Sequence, residues 1–371
     1  MKQVDRIYKA LANGIVTFTQ GHAIHTPRAL VEEILGKIKL RGNILVMFNI
    51  EFVVSLVYTC NIDPKTITFY SDSEDKTEFA KNLGVKYITT LGTNMKFDVV
   101  LANPPYQSDV KGDASLWPLF IQQNFNLVKD QGTVAMIVPS VFGLPGPNIR
   151  KGKINCWTEY LQTKKLKVLN IGECSKHFKG VGLSPEYFGY FIAENTQDTT
   201  TPTSIVTLKE QFTINIANYD FLPARGSQID FSIVGKIQDL GRQIGTMPIS
   251  RGGGYPENGL GGNVMVFKKA RYQPYIKCVD FDFTGCRDFR KEITDFGWMS
   301  IPAQATEKSA KSVFFSKLFI YYSSLMFSVT FNQGFHQSLP KLDLTKVWTD
   351  SDIYKLVGLN AKEIAYIESN S

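Results

Sequence analysis

The chain has 371 residues, of which 43% are hydrophobic and 20% charged, and 41 Lys and Arg against 34 Asp and Glu give it a formal net charge of +7. This composition excludes a disordered chain and a fibrous protein, and the length allows about two to three domains that each bury a core. The five cysteines are scattered without a Cys-x-x-Cys pair, which excludes a disulfide scaffold and predicts a protein of the reducing cytoplasm.

Apolar runs rich in β-forming residues alternate with helical stretches from residue 24 to about residue 197. The predicted strands are, in chain order, 44–48, 67–70, 85–88, 97–102, 133–138, 168–171 and 187–193. The predicted helices are 27–37, 51–60, 73–83, 116–128 and 157–164. Alternation of this kind is typical of a parallel sheet covered by helices. The sequence therefore predicts an α/β, Rossmann-like sheet of about seven strands with helices on both faces.

A polar segment interrupts this pattern and marks the predicted domain boundary. Residues 194–202 combine threonine, asparagine, aspartate and proline without helical or alternating spacing, as is typical of a linker. We therefore predict one domain at residues 1–197 and a second at residues 198–371.

The second domain is predicted to be irregular and β-rich, in the α+β class. Residues 203–340 have the pattern of short strands and loops, with glycine-rich turns at 252–254 and 259–262, and two short helices are expected within residues 352–368. The apolar stretch 313–331 is interrupted by a lysine and four serines. Its aromatic and β-branched content favours buried strands over a membrane span.

The most informative motif is the tetrapeptide Asn103-Pro104-Pro105-Tyr106, which directly follows the fourth predicted strand. Ligands in open α/β sheets bind at the carboxyl ends of the strands, so the motif is expected at a ligand crevice. The two prolines fix φ and remove two backbone donors, which leaves the Asn103 side-chain oxygen and the Pro104 carbonyl as a rigid pair of acceptors. Such a pair suits an exocyclic NH₂ group, and Tyr106 could stack on the adjoining planar ring.

Two interpretations of this motif need no such site: a simple turn after a core strand, or a proline-rich segment that an adaptor domain binds. Its position after a parallel strand, with Thr26-Pro27 opening a helix before the first strand, favours the ligand site. In this order of motifs the chain resembles the S-adenosylmethionine-dependent DNA adenine-N6 methyltransferases of bacterial and phage type. Within them it is similar to the group whose cofactor motifs precede the catalytic motif and a C-terminal target-recognition region. The resemblance covers about residues 20–195.

The resemblance implies a role for each residue of the motif. The catalytic residues that it implies are Asn103, Pro104, Pro105 and Tyr106. Asn103 and Pro104 would bind the amino group of a flipped-out adenine, and Tyr106 would stack on the base. Phe178 would hold the other face of the base. The second domain would recognise the DNA target.

The resemblance also implies a binding site for S-adenosylmethionine. Thr26 and Pro27 would contact its methionine moiety, and Asn103 would line the site. Asp72, at the end of the second predicted strand, would bind the ribose hydroxyls, because a carboxylate accepts two hydrogen bonds from a diol. Asp72 lies between two serines and also fits a helix N-cap, so both roles stay open.

The turn after the first predicted strand departs from the glycine-rich loop that the family usually has there. The chain has no glycine between Gly42 and Gly84, although glycine lets a backbone approach a cofactor closely. Asn49 and Glu51 could still reach the cofactor, with Glu51 opposite its ammonium group and Phe48 packed nearby. The alternative is a turn that has lost cofactor binding, which would make the chain a catalytically silent subunit.

Basic residues near the glycine-rich turns of the second domain are the candidates for DNA contact. They are Arg251, Lys268, Lys269 and Arg271. They would bind phosphate and position the protein on the duplex. Acidic residues accompany them, so a solvated mixed surface is the alternative. The four histidines are too scattered to predict a metal site, and His25 is expected to be a local packing or hydrogen-bonding residue.

The predicted function is transfer of a methyl group from S-adenosylmethionine to N6 of an adenine in double-stranded DNA, an activity found in restriction-modification systems. The base would be flipped out of the stack, since N6 is not reachable within it. The same motif would suit the adenine amino group of RNA or the glutamine amide of a protein, and a silent DNA-binding subunit is a further alternative. The long region after residue 197 favours DNA because it suits base recognition. No membrane or metal partner is predicted.

Overall fold

The computed structural model describes the chain in separate ranges. The described residues are 3–12, 25–92, 94–105, 116–139, 157–178, 188–223, 225–248, 250–251, 263–267, 279–282, 297–302, 304–326 and 339–370. Contacts divide the chain into two compact units, Met1–Phe142 with Lys151–Ala217 and Gly143–Arg150 with Asn218–Ser371. No helix within the described ranges is long and apolar enough to cross a membrane.

The first unit contains a large sheet flanked by helices. Its elements are, in chain order, α1 (Gln3–Ala12), α2 (Arg28–Gly36), β1 (Ile44–Met47), α3 (Ile50–Tyr58), β2 (Ile67–Tyr70), α4 (Glu74–Asn82), β3 (Lys86–Ile88), β4 (Phe97–Ala102), α5 (Trp117–Leu127), β5 (Val128–Pro139), β6 (Lys165–Ile171), β7 (Phe188–Glu194), β8 (Thr203–Thr207) and β9 (Gln211–Ile214). The strands are ordered β3-β2-β1-β4-β5-β7-β6-β8-β9 in the sheet. Strands β1 to β5 are parallel, β7 is antiparallel to both of its neighbours, and β8 is parallel to β6.

The central strands are buried on both faces of the sheet. All four residues of β1 are buried. Ile44 and Val46 belong to the core that includes α2 and α3, whereas Leu45 and Met47 are buried on the opposite face. Each such side chain contributes about 1.5–3 kcal/mol of burial free energy. Continuous apolar runs of this kind are typical of parallel strands with helices on both sides, and the predicted Rossmann-like α/β class is confirmed.

The seven strands predicted up to residue 193 are all present, and the sheet has nine strands rather than seven. The predicted helix at 157–164 is shorter than expected. It is one π-helical turn, Trp157–Leu161, and β6 begins at Lys165. The two additional strands, β8 and β9, follow the predicted boundary at residue 197 and extend the same sheet.

The polar segment that predicted the boundary is a turn that leads into β8. The carboxylate of Asp198 accepts hydrogen bonds from the backbone N–H groups of Thr200 at 2.9 Å and Thr201 at 3.2 Å, and also from both hydroxyls. These bonds hold the pKa of the Asp198 carboxyl well below its usual range. The first unit extends past this turn and ends at Ala217. The recognition role of residues 198–371 stays a prediction.

The second unit combines helices with a small sheet. Its elements are α6 (Gln228–Ile244), β10 (Ser250–Arg251), β11 (Asn263–Phe267), β12 (Val279–Asp282), β13 (Gly297–Ile301), α7 (Glu307–Phe314), α8 (Lys317–Met326), α9 (Asp350–Val357) and α10 (Ala361–Asn370). The four strands form an antiparallel sheet in the order β10-β13-β11-β12. The α+β class and the two short terminal helices, α9 and α10, are confirmed.

Two expectations for this unit are wrong. Residues 203–340 are not only strands and loops, because α6 is a helix of 17 residues. It begins with a capping box in which Ser227 and Asp230 satisfy each other's backbone N–H groups, and it buries Phe231 and Val234 at helical spacing.

The apolar stretch 313–331 is likewise helical where it is described, in α7 and α8, rather than composed of strands. Thr306 caps α7 through a hydrogen bond from the backbone N–H of Ser309 at 3.1 Å, and Ser316 accepts one from the backbone N–H of Phe319 at 3.3 Å before α8. These local caps and the burial of one face outweigh the β-propensity of the aromatic residues, which depends on context.

Candidate functional site

The turns that carry most of the predicted site residues lie at one edge of the sheet. Strands β2, β1 and β4 are adjacent and parallel, so their carboxyl ends meet at the same edge. Residues 48–51 follow β1, residues 71–73 follow β2 and residues 103–105 follow β4. The structure therefore brings together turns that are up to 55 residues apart in the sequence, from Phe48 to Asn103.

Thr26 connects the turns after β1 and β4. Its hydroxyl oxygen accepts a hydrogen bond from Nδ2 of Asn103 at 2.9 Å and another from Nδ2 of Asn49 at 2.5 Å. The Thr26 side chain is buried. The hydroxyl to which both amides donate is therefore held in a fixed place. Because Nδ2 of Asn103 donates to Thr26, the Oδ1 atom of Asn103 is turned away from Thr26.

Asn49 is the N-cap of α3 as well as a partner of Thr26. Its Oδ1 accepts a hydrogen bond from the backbone N–H of Phe52 at 3.0 Å, and its side chain is buried. Both ends of the amide are thus engaged within the protein. The structure shows Asn49 as a link between α3 and Thr26, and its contact with a cofactor stays a prediction.

Phe48 has a left-handed backbone conformation, with a φ of 64°. A non-glycine residue in this conformation costs about 1–2 kcal/mol. The Phe48 ring makes edge-on contacts with Tyr70 and Phe120, with ring centroids 5.1 Å apart in each pair. These three rings form an aromatic cluster beside the turn. Tyr70 and Phe120 were not predicted as site residues, although Tyr70 ends a predicted strand.

Glu51 lies in the first turn of α3 and is 5% exposed. Nδ1 of His25 is 2.7 Å from Oε1 of Glu51. This hydrogen bond raises the pKa of His25 above its usual value. His25 was expected to be a local packing or hydrogen-bonding residue, and its hydrogen-bond partner is on α3. Tyr8 of α1 also donates a hydrogen bond to the Glu51 carbonyl at 2.9 Å.

Asp72 is exposed at the end of β2. The N-cap of α4 is Ser73, whose hydroxyl accepts a hydrogen bond from the backbone N–H of Lys76 at 3.5 Å. The interpretation of Asp72 as a helix cap is therefore wrong, because the neighbouring serine performs that role. Its role toward a ribose stays a prediction, and its charge contributes to the raised pKa of Tyr70, of which burial is the larger cause.

Lys76 is a site residue that no motif in the sequence indicated. It lies in the first turn of α4 and is 8% exposed. Its Nζ donates a hydrogen bond to the Phe48 carbonyl at 3.4 Å. Burial lowers the pKa of Lys76, whereas the charges of Glu51 and Asp72 act in the opposite direction.

The remaining predicted residues are placed as follows. Pro27 precedes α2, and its carbonyl accepts hydrogen bonds from the backbone N–H groups of the first turn at 3.0 and 3.2 Å. Pro104 is buried and Pro105 is exposed. Phe178 is largely buried, with its ring 4.9 Å from that of Phe188, and its stacking on a base stays a prediction.

Several predicted residues lie beyond what the structure describes. Tyr106, Lys268, Lys269 and Arg271 are outside the described residues, and Arg251 is described only as part of the backbone of β10. Within the described part of the chain there is no group of three or more His, Cys, Asp and Glu side chains that could hold a metal ion.

The donor and acceptor set at this edge fits a cofactor with a cationic end and a vicinal diol. Glu51 offers a buried carboxylate, and Asp72 offers an exposed carboxylate on the adjacent turn. An ammonium group matches the Glu51 carboxylate, and a pair of ribose hydroxyls matches the Asp72 carboxylate. Asn103 and Pro104 belong to the neighbouring turn, and their contact with a substrate stays a prediction.

Part of the chain matches a known protein family. Residues 60–167 match the family described as Eco57I restriction-modification methylase. The matched segment begins after α3 and includes β4 and the Asn103-Pro104-Pro105 turn. Over these residues the chain is similar to a restriction-modification methylase. No curated protein matches the chain.

Solved structures with a similar arrangement have low sequence identity. A putative class I S-adenosylmethionine-dependent methyltransferase from Listeria monocytogenes is 14% identical, with 55% of this chain and 72% of that chain covered and a TM-score of 0.37. The type IIG restriction endonuclease BpuSI is 13% identical, with 68% and 39% covered and a TM-score of 0.40. A methyltransferase from Pyrococcus furiosus is 15% identical, with 52% and 96% covered and a TM-score of 0.31. The match to BpuSI thus spans well under half of that protein's length.

Proposed function

We propose that the protein is a DNA methyltransferase that transfers a methyl group from S-adenosylmethionine to N6 of adenine. The observation that carries this proposal is the turn after β4, where Asn103 is held by a buried Thr26 and is followed by two prolines. The family match over residues 60–167 supports methyl transfer to DNA. The adenine target is inferred from the chemistry of the turn.

Asn103 and Pro104 hold the target amino group. Two acceptors, the Asn103 Oδ1 and the Pro104 carbonyl, bind both N–H groups of N6 and draw its lone pair out of conjugation with the ring. The hydrogen bond from Asn103 to Thr26 fixes the amide before the substrate arrives. Positioning and electrostatic stabilisation therefore supply the acceleration, and no covalent enzyme intermediate is needed.

The cofactor is S-adenosylmethionine, held by the turns after β1 and β2. Glu51 binds its ammonium group and Asp72 its ribose hydroxyls, while Thr26 and Pro27 line the methionine end. When bound, it supplies an electrophilic methyl group on a sulfonium sulfur. The buried position of Glu51 and the aromatic cluster around Phe48 restrict water at this end of the site.

The target adenine leaves the duplex before the reaction. N6 lies within the base stack of DNA, so the base is flipped out of the duplex toward the turn after β4. Tyr106 and Phe178 stack on its two faces, and the second unit recognises the flanking sequence. The enzyme acts within a restriction-modification system, as the matched family description suggests.

The test compares Asn103→Ala with Asn126→Ala, a control at an exposed position of α5. Each purified variant is incubated with tritiated S-adenosylmethionine and duplex DNA, and the nucleosides are identified by mass spectrometry. We expect the methylation rate of Asn103→Ala to be at least about 100-fold lower, since removal of one preorganised hydrogen-bonding group from an active site lowers the rate by about that factor. DNA binding should stay unchanged.

Parallel reactions with RNA and with a glutamine-containing peptide separate the alternatives. N6-methyladenine only in DNA supports the proposal. Methyl transfer only to RNA or to the peptide would contradict it, as would full activity of Asn103→Ala. A wild-type chain that binds DNA but not the cofactor would identify a silent subunit instead.

A further inference from the structure

Lys76 is buried beside the turn after β1. Burying its charge there has an electrostatic cost that an apolar side chain would not have. Lys76 belongs to the first turn of α4 and is 8% exposed. The N-terminal end of a helix carries partial positive charge and disfavours a nearby cation. Burial adds a desolvation cost, which lowers the pKa of the ammonium group. A cation at this position therefore needs compensation from its surroundings.

Part of the compensation comes from the turn after β1. Nζ of Lys76 donates a hydrogen bond to the Phe48 carbonyl at 3.4 Å. Phe48 is the residue with a φ of 64°, at a place where a glycine would adopt the same backbone without strain. The contact joins the start of α4 to the end of β1, so it fixes a conformation that the Phe48 side chain disfavours.

Further compensation comes from two carboxylates. Glu51 and Asp72 both favour the charged form of Lys76, and Glu51 has the larger effect. Glu51 lies on the turn after β1 and Asp72 on the turn after β2. Both are residues that the proposed function gives to the cofactor. A cation among them reduces their mutual repulsion.

We propose that Lys76 is the positioning residue of the cofactor site and substitutes for the missing glycine-rich loop. Its ammonium group holds the Phe48 carbonyl and so fixes the turn from which the Glu51 side chain would reach the cofactor. This inference rests on the proposed function, because Glu51 acts here as the partner of the cofactor ammonium group.

The experiment measures ligand binding to the full chain by calorimetry. The variants are Lys76→Met, which keeps the length without the charge, Lys76→Arg, which keeps the charge, and Lys81→Met, a control at an exposed position in the last turn of α4. The ligands are S-adenosylmethionine and 5′-deoxy-5′-methylthioadenosine, which keeps the nucleoside but lacks the ammonium and carboxylate groups. Thermal unfolding of each variant is recorded alongside.

We expect Lys76→Met to raise the Kd for S-adenosylmethionine by about 10-fold or more, and that for methylthioadenosine by less than about 3-fold. Lys76→Arg should recover part of the loss, and Lys81→Met should bind as the wild type does. Should Lys76→Met fail to fold, Lys76→Gln, which stays polar but lacks the charge and is one bond shorter, is expected to show the same difference between ligands.

Three results would overturn the inference. Unchanged binding would show that Lys76 is structural, and tighter binding would show that it competes with the cofactor for Glu51. An equal loss for both ligands would show a general loosening of the turn. Absence of S-adenosylmethionine binding by the wild-type chain would instead contradict the proposed function.

Discussion

The turns that follow β1 and β4 lie at the same edge of the sheet but are held in place by different means. The turn after β4 is constrained by its own covalent structure, since Pro104 and Pro105 fix two φ angles. The turn after β1 has neither proline nor glycine, and Phe48 has a positive φ. Its conformation depends on contacts with other elements, including the hydrogen bond from Lys76.

This difference explains why one turn has a readable motif and the other does not. A local constraint can be recognised in four consecutive residues. A turn fixed by distant partners can change its sequence as long as those partners change with it. The Thr26 hydroxyl accepts hydrogen bonds from both turns, so the two constraints meet at one buried atom.

Replacing Thr26 should have the largest effect, because it disturbs both turns. Thr26→Val keeps the shape but removes the acceptor that Asn49 and Asn103 share. A buried donor that loses its partner costs about 1–3 kcal/mol, so we expect the free energy of unfolding to fall by about 2 kcal/mol. Methylation should fall by at least about 30-fold, since the Asn103 amide loses its orientation.

Urea unfolding and single-turnover methylation measure both effects, and Thr26→Ser is the matched control because it keeps the hydroxyl. Equal behaviour of the valine and serine variants would show that the two turns are independent of Thr26.

Glu51→Gln should affect only the turn after β1. The substitution removes the charge that pairs with His25 and, in the proposed function, with the cofactor ammonium group. We expect the Kd for S-adenosylmethionine to rise by about 10- to 100-fold, because a buried charge pair is broken. Calorimetry checks this against Glu74→Gln, an exposed residue at the start of α4. The same Kd for both variants would remove Glu51 from the cofactor site.

The pair of His25 and Glu51 should make the stability of this turn depend on pH. The hydrogen bond to Glu51 raises the pKa of His25 above 6.5. Stabilisation is then complete below the unfolded-state value of about 6.5 and is lost as pH rises through the higher folded-state pKa. Solvent screens the partly exposed imidazole, so we expect no more than about 1 kcal/mol.

Urea unfolding of the wild type and of His25→Gln, from about pH 5.5 to about pH 8.5, tests this expectation. The difference in unfolding free energy between the two proteins should decrease as pH rises. A difference that stays constant or grows would show that His25 is not protonated in the pair.

Pro105→Ala should have the smallest effect and act only on the turn after β4. Pro105 is exposed, and its replacement mainly increases the entropy of the unfolded chain. We expect the free energy of unfolding to fall by about 0.5 kcal/mol, with little change in S-adenosylmethionine binding. Chemical unfolding and calorimetry measure the two quantities. Weakened cofactor binding would show that the turns are coupled beyond Thr26.

The central strands were predictable because burial on both faces leaves continuous apolar runs. β1, β2 and β4 were predicted to within one residue at each end. The helices α6, α7 and α8 were missed in the stretches predicted as strands or loops. Their aromatic and β-branched residues favour strands locally. The capping residues and the burial of apolar side chains stabilise the helical conformation instead.

The sequence by itself determined the parallel sheet and the rigid turn of Asn103, Pro104 and Pro105, because burial pattern and proline geometry are properties of neighbouring residues. Only the tertiary structure decided the conformation of the turn after β1 and the contacts that hold it. Lys76 and Phe48, like His25 and Glu51, are more than twenty residues apart in the chain. Their contacts form where parallel strands bring their carboxyl ends to one edge, and no local pattern in the sequence specifies that pairing.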